Sequence, residues 1–325
     1  MPDSEDWSFP EEMRPKRSDV DFDLDSVLDA MVAVRAEIPD DAFTAGILGT
    51  ERGGNGVVIG DEGIVLTIGY LITEAQTVWL TTNRGAVVSG YPLAYDQQTG
   101  FGLIRALGPL EATAIARGSA ASCGRGDRVF VVGHGGLRHA LKARLADKRE
   151  FAGYWEYLLE EALFTAPAHP EWSGAALLSE NGSLIGVGSL LVQESVDGRT
   201  VQANMSVPID LLEPILDNMI ATGVSGLAPR PWLGVYVGES EGGQLVVGGV
   251  ADGGPASRAG VRQGDLIIEV GGRRVTSLAA MLRAAWRLGP AGTRIPLTIA
   301  REGDLVRLEL QSIDRSDLLK RPRLH

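Results

Sequence analysis

The rhythm of hydrophobic and polar positions changes several times along the chain. Residues 1–22 are polar and proline-bearing, the texture of an arm. The stretch DLDSVLDAMVAVRAEI (23–38) places Leu24, Val27, Leu28, Met31 and Val34 at three-to-four spacing, which predicts an amphipathic helix. Its acidic residues cluster in the first turn, where the helix dipole favours them. From Phe43 onward short apolar runs recur: AGILGT, GVVIG, GIVLTIG, TVWLTT, GAVVSGYPLAY, FGLIRAL and RVFVVGHG. Gly, Asn and Asp punctuate them at roughly ten-residue intervals, the rhythm of an all-β barrel or sandwich. Strands resume at SGAALLS, SLIGVGSLLVQ and TVQANMSVPI. PIDLLEPILDNMIATG (208–223) reads as a second helix, with Pro208 in its first turn and Gly223 as its stop.

VSGLAPRP (224–231) is a short Gly/Pro linker. Beyond it lie strands WLGVYVG and QLVVGGV, a short helix near PASRAG, the strand DLIIEVGG, a helix SLAAMLRAAWRLG (277–289) and two last strands, RIPLTIA and LVRLELQ. Strands mixed with two helices make a small α+β module. The expected organisation is an arm and helix over 1–41, a β domain over 42–223, the linker 224–231, the α+β module over 232–314 and a basic tail over 315–325.

Composition adds limits. A length of 325 residues suits two domains, and 44% hydrophobic with 22% charged residues is an ordinary soluble balance. A net charge of −12 argues against a nucleic-acid surface. Lys320, Arg321 and Arg323 form a local exception and read as a solvated tail. With Cys123 alone no intrachain disulfide forms, and the histidines (His134, His139, His169, His325) match no metal-ligand spacing, so no metal or cofactor is expected. The first residues, MPDSEDWSFPEEMRPKRSD, hold no apolar core of a signal peptide. No run approaches the roughly 18 uncharged apolar residues of a membrane-crossing helix. These readings predict a cytoplasmic protein.

VADGGPASRAGVRQGDLIIEVGGRRV (250–275), with its Pro-Ala, Ala-Gly, Gly-Asp and paired glycines, resembles a PDZ domain. Together with the β domain before it, the chain resembles the HtrA/Deg family of serine proteases over roughly residues 42–313. GNGVVIGDEGIVLT (54–67) resembles that family's strand pair before the catalytic histidine, and SVPIDLLEPILDNMIATG its helix leading to the PDZ domain. The resemblance implies a mainly β fold: a trypsin-like double β-barrel followed by an α+β PDZ domain, with a short N-terminal helical extension.

A serine hydroxyl attacks well only when a positioned base takes its proton and a carboxylate orients that base. The resemblance aligns Ser173, in EWSGAA (171–176), with the nucleophile. It puts Tyr70, in LTIGYLI (66–72), at the histidine position and Gly100, in YDQQTGFGLIRAL (95–107), at the aspartate position. A phenol titrating near pH 10 is a poor base at pH 7. Glu171 replaces the glycine whose N–H helps build the oxyanion hole, and a carboxylate there opposes the developing charge. All three catalytic roles are damaged. His169, four residues before Ser173, and His134 are the candidates for a substitute base, and Asp96 for a displaced orienter that reads more simply as a turn cap.

Tyr154, Trp155 and Tyr157 form an aromatic cluster that reads as core and barrel-lid packing. Trp7 and Phe9 read as exposed aromatics, which in the family help build trimers. In WLGV (232–235) the resemblance implies a carboxylate-binding loop at Leu233, Gly234 and Val235, with the strand from Val235 to Val237 free to pair with an extended peptide. Leu278, Met281, Leu282 and Ala285 share one helix face and either line the pocket for the last side chain or fill the core. The leading expectation is a proteolytically inactive homologue that binds unfolded chains or C-terminal peptides as chaperone, adaptor or regulator, as a homotrimer or in co-assembly with active relatives. The contrasting one is an active endopeptidase of protein quality control using Ser173 with a non-standard base. A third is a structural oligomer whose groove is closed by its own tail, LLKRPRLH (318–325).

Overall fold

Residues 7–60, 62–196, 198–240 and 242–321 are described by the computed structural model. The chain divides into two units. The first takes the chain up to Arg149, Glu161–Gly226 and the segment from Lys320; the second takes Glu150–Glu160 and Leu227–Leu319.

Unit 1 is built on two closed six-stranded barrels. The first contains β1 (Met31–Glu37), β2 (Glu51–Gly60), β3 (Ile64–Ile68), β4 (Thr77–Thr82), β5 (Val87–Tyr95) and β6 (Phe101–Ala106), in the order β1-β2-β3-β6-β5-β4. The second contains β7 (Arg128–Val132), β8 (Ala140–Gly153), β9 (Tyr157–Ala166), β10 (Ala176–Leu178), β11 (Leu184–Val196) and β12 (Arg199–Pro208), in the order β10-β11-β12-β9-β8-β7. Every residue of β3 is buried, as a continuous apolar run between two neighbours requires. Phe101, Phe130, Phe164 and Met31 are among the largest fully buried side chains. Each is worth about 1.5–3 kcal/mol relative to exposure.

Three expected elements change. The helix expected over 23–38 ends early as α1 (Leu24–Asp29), whose cap Asp23 accepts a hydrogen bond from the Ser26 N–H at 3.2 Å. The chain then extends into β1, where Val32, Val34 and Ala36 are buried while Arg35 and Glu37 are exposed. AGILGT forms a single helical turn, α2 (Ala45–Leu48), instead of a strand. Pro208 closes β12, and the helix α3 (Leu216–Thr222) begins only after a further turn, ending at Gly223 with φ +78°.

The first and last described segments of unit 1 are packed or paired. Phe9 is buried and Trp7 half-buried, packed beside a core cluster with Leu141, Leu145 and Leu163. The exposed aromatics expected at Trp7 and Phe9 are therefore part of this chain's own interior, because large rings gain most by leaving water. Lys320 is likewise not simply solvated: its N–H donates to Glu74 at 3.0 Å and its ammonium pairs with Asp41. Arg323, His325 and the rest of the tail beyond Arg321 lie outside the described residues.

Unit 2 is a sheet in the order β13-β14-β15-β17-β18, with β16 beside β15. Its strands are β13 (Val235–Glu239), β14 (Leu245–Val250), β15 (Leu266–Val270), β16 (Arg273–Arg274), β17 (Arg294–Arg301) and β18 (Asp304–Gln311); its helices are α4 (Pro255–Arg258) and α5 (Leu278–Trp286). Ser277 caps α5 by accepting from the Ala280 N–H at 3.1 Å, and Glu239 accepts from the Leu278 N–H at 2.6 Å. The core joins Val235, Val237, Ile267, Met281, Leu282 and Ile299. Leu158 belongs to it as well, carried in by the tip segment Glu150–Glu160 that links β8 to β9.

Candidate functional site

Tyr70 sits in the turn Gly69–Leu71 directly after β3. Arg52 fixes that turn, its Nη1 donating to the Tyr70 carbonyl at 2.7 Å. The Ser173 loop is anchored from several sides. Asn55 N–H donates to the Ser173 carbonyl at 2.7 Å, Asn55 Nδ2 to the Glu171 carbonyl at 2.9 Å, and Gly174 N–H to the Gly188 carbonyl at 2.8 Å. Gly174 has φ +73°, and a Cβ there would stand 1.9 Å from the Asn55 oxygen, so only glycine fits.

These anchors bring Tyr70 and Ser173 together. The phenolic oxygen lies 2.6 Å from Ser173 Oγ and 2.8 Å from the Ser189 carbonyl oxygen. A carbonyl only accepts, so the single phenolic proton goes to Ser189 and the serine hydroxyl donates to the phenol. Burial pushes the Tyr70 phenol up to about 12, with the Ser173 bond working against it. The phenol is protonated at neutral pH and is not a base for the serine proton.

Gly100 comes to the same place with nothing but backbone to offer: its carbonyl accepts from Gly69 N–H at 2.7 Å. Asp96 closes its own turn, accepting from Thr99 N–H at 2.7 Å and Thr99 Oγ1 at 2.8 Å. The N–H of Glu171 donates to His169 Nδ1 at 3.0 Å. His169 Nε2 must then be the protonated nitrogen, donating to the His139 carbonyl at 2.8 Å. Both nitrogens are engaged and the ring is fully buried, which lowers its pKa. The expectation of His169 as a substitute base fails on this geometry, since neither nitrogen is left to take a proton from Ser173. His134 Nε2 lies 3.4 Å from the Thr82 carbonyl and is also lowered by burial. The Glu171 carboxylate accepts from Trp7 Nε1 at 3.1 Å and lies 3.5 Å from His139 Nδ1.

In unit 2 the N–H groups of Leu233, Gly234 and Val235 converge on one point, and a carboxylate is there. Glu156 Oε2 accepts from Leu233 at 2.9 Å, and Glu156 Oε1 accepts from Gly234 at 2.7 Å and Val235 at 3.0 Å. Leu278, Met281 and Leu282 are buried in the same cluster as Leu158. The sequence reading missed Glu156, which is 77 residues from Leu233 and sits among aromatics as a lone acid. Tyr154, Trp155 and Tyr157, expected as packing in the barrel, belong to unit 2 with it. Tyr154 meets Tyr236 at a ring-centroid distance of 6.3 Å, and Trp155 stacks on Tyr157 at 5.8 Å.

Comparison with known proteins assigns both parts. Residues 54–187 match the trypsin-like peptidase domain and residues 231–311 the PDZ domain. The chain is 26% identical over 273 residues to a probable periplasmic serine endoprotease, DegP-like, of Chlamydia trachomatis, covering 78% of this chain and 52% of that one. It is 24% identical to the periplasmic serine endoprotease DegP of Escherichia coli, covering 79% and 56%. The chain thus spans about half the length of these curated relatives. The solved structure of the HtrA-type protease AlgW with a decapeptide shares the fold at a TM-score of 0.53 and 20% identity, covering 92% of this chain and 99% of that one. A serine endoprotease from Yersinia pestis does so at 0.52 and 21%, covering 91% and 99%.

The periplasmic relatives overturn the expectation of a cytoplasmic protein. That expectation rested on the missing apolar core in the first residues, which does not fix a compartment. Among the described residues no helix is long and apolar enough to cross a membrane. The chain thus carries a trypsin-like peptidase domain followed by one PDZ domain, and its similarities are to DegP and HtrA-type serine endoproteases.

Proposed function

We propose that this HtrA/DegP-like chain is a pseudoprotease that binds unfolded proteins or C-terminal peptides through its PDZ domain, as a chaperone, adaptor or regulator. The observation that carries the reading is the Ser173 hydroxyl, 2.6 Å from a buried phenol whose own proton is given to the Ser189 carbonyl. Gly100 supplies no carboxylate, and the Glu171 N–H is turned to His169 instead of towards an oxyanion. Loss of the base alone costs about a million-fold in kcat in a subtilisin-type enzyme. The convergent N–H groups of Leu233, Gly234 and Val235 support recognition of a carboxylate, the feature that every chain terminus provides.

The names of the relatives support a periplasmic site of action. Homotrimers and co-assembly with active relatives belong to the same proposal, but Trp7 and Phe9 do not support them, being packed within this chain. The test is incubation with unfolded casein and a fluorophosphonate probe beside a Ser173→Ala control. No cleavage and no Ser173-dependent labelling are expected. Cleavage lost in Ser173→Ala would establish an active endopeptidase with a non-standard base.

A further inference from the structure

The tip segment Glu150–Glu160 and the binding loop lie within one unit, and their contacts reproduce what a bound peptide needs. A terminal carboxylate requires converging N–H donors, and the Glu156 carboxylate takes those of Leu233, Gly234 and Val235 at 2.7–3.0 Å. A peptide two residues back from its end pairs with the strand edge, and Val237 N–H donates to the Tyr154 carbonyl at 3.3 Å. An apolar last side chain needs a pocket, and Leu158 is buried in the cluster of Val235, Leu278, Met281 and Leu282. One segment supplies the carboxylate, the backbone pairing and the apolar anchor together.

Two further features hold it there. Arg283 on α5 pairs with Glu150 at 2.5 Å and also with Glu160, so a single guanidinium ties both ends of the segment to the helix beside the groove. Glu156 itself has φ +65°, a conformation that costs any residue with a Cβ and persists only where its surroundings fix it. A carboxylate taken out of water needs such partners, and Glu156 is only 7% exposed.

We infer that the PDZ groove is self-ligated: Tyr154–Leu158 occupies it as a built-in pseudo-ligand, and a peptide with a free carboxylate and an apolar last residue binds only by displacing this segment. The inference rests on the peptide-binding reading above and adds its regulation. It also replaces the expectation that the C-terminal tail closes the groove, because the loop's donors are already taken by Glu156. An intramolecular competitor lowers apparent affinity by the fraction of molecules that are open.

The test uses the full chain with a fluorescein-labelled decapeptide ending in Leu-Val, in free-acid and amidated forms. Glu156→Gly deletes the carboxylate and suits the positive φ; Arg283→Glu is the second variant, repelling Glu150 and Glu160 with the loop intact. Both are expected to bind the free-acid peptide about tenfold or more tighter than the wild type, and the amide not at all. Hydrogen exchange without peptide is the independent readout. The amides of Leu233, Gly234, Val235 and Val237 should be protected in the wild type and lose protection in both variants. Wild-type affinity equal to that of the variants, or unprotected loop amides in the wild type, overturns self-ligation and leaves peptide binding standing. Loss of protection without peptide binding in either variant overturns the displacement and the peptide-binding reading with it.

Discussion

Single side chains decide the chemistry around Ser173. On the proposed reading a histidine at position 70 is not enough for catalysis, because Tyr70→His would face Gly100, which has no carboxylate, and Glu171, whose N–H is held by His169 Nδ1. Tyr70→His is therefore expected to show no casein cleavage above background, read by release of labelled fragments over hours. Gly174 is the opposite case, a residue that the fold demands whatever the chemistry. Gly174→Ala puts a methyl 1.9 Å from the Asn55 oxygen at φ +73° and is expected to lose at least about 3 kcal/mol of stability in urea unfolding. Tyr70, Gly100 and Glu171 were singled out only through the resemblance to the HtrA/Deg motifs, since neither spacing nor composition marks any of them. The direction of the Glu171 N–H was not legible, since it depends on a buried histidine tautomer that no sequence pattern encodes.

At the scale of elements, local rhythm was readable where one template fitted and failed where two did. Over 23–38 the apolar residues satisfy helical spacing, yet Val32, Val34 and Ala36 also alternate with Arg35 and Glu37. Pairing with both β2 and β4 gives the extended form two ladders of hydrogen bonds, and the β-branched valines suit it. The tip segment was invisible for another reason: its partners come from distant sequence. Its lock also titrates. Burial, against the three N–H donors and Arg315, pushes the docked Glu156 carboxyl up to about 7 from an ordinary 4.5. Tyr236 and Asp252 face the same region. A docked group that holds its proton more tightly than the released one favours docking at low pH, and the advantage is lost as pH rises from 4.5 through 7. Peptide affinity should thus increase between pH 5 and pH 8 in the wild type. Glu156→Gln, which cannot titrate, should show a flat profile in the same fluorescence titration. Asp265 carries the reverse sign. Burial would raise it, but Arg301 at 2.7 Å and the Arg262 N–H hold it below its ordinary value. Arg301→Ala is expected to cost about 3 kcal/mol at neutral pH in urea unfolding, with a penalty that shrinks as acid protonates Asp265.

In the reading proposed above, the two sites of the molecule are closed by the same device in different chemistry. At Ser173 the Tyr70 phenol takes the serine's hydrogen bond and donates its own to a carbonyl; at Leu233–Val235 the Glu156 carboxylate takes the N–H donors. The consequences differ. The identity of a residue changes only by substitution, whereas a docked segment exchanges with a competitor of sufficient affinity. Peptide should accordingly change what the protein binds without changing what it cleaves. With Glu156→Gly, saturating free-acid peptide and unfolded casein together, the groove is filled and the segment released, yet Tyr70 still accepts only a hydrogen bond from Ser173 and Gly100 still lacks a carboxylate. No hydrolysis is expected in the fluorescent casein assay, while suppression of casein aggregation should respond to the variant. Peptide-stimulated cleavage that disappears in Ser173→Ala would mean that the Tyr70–Ser173 arrangement is one state of a regulated protease, and that the groove controls it.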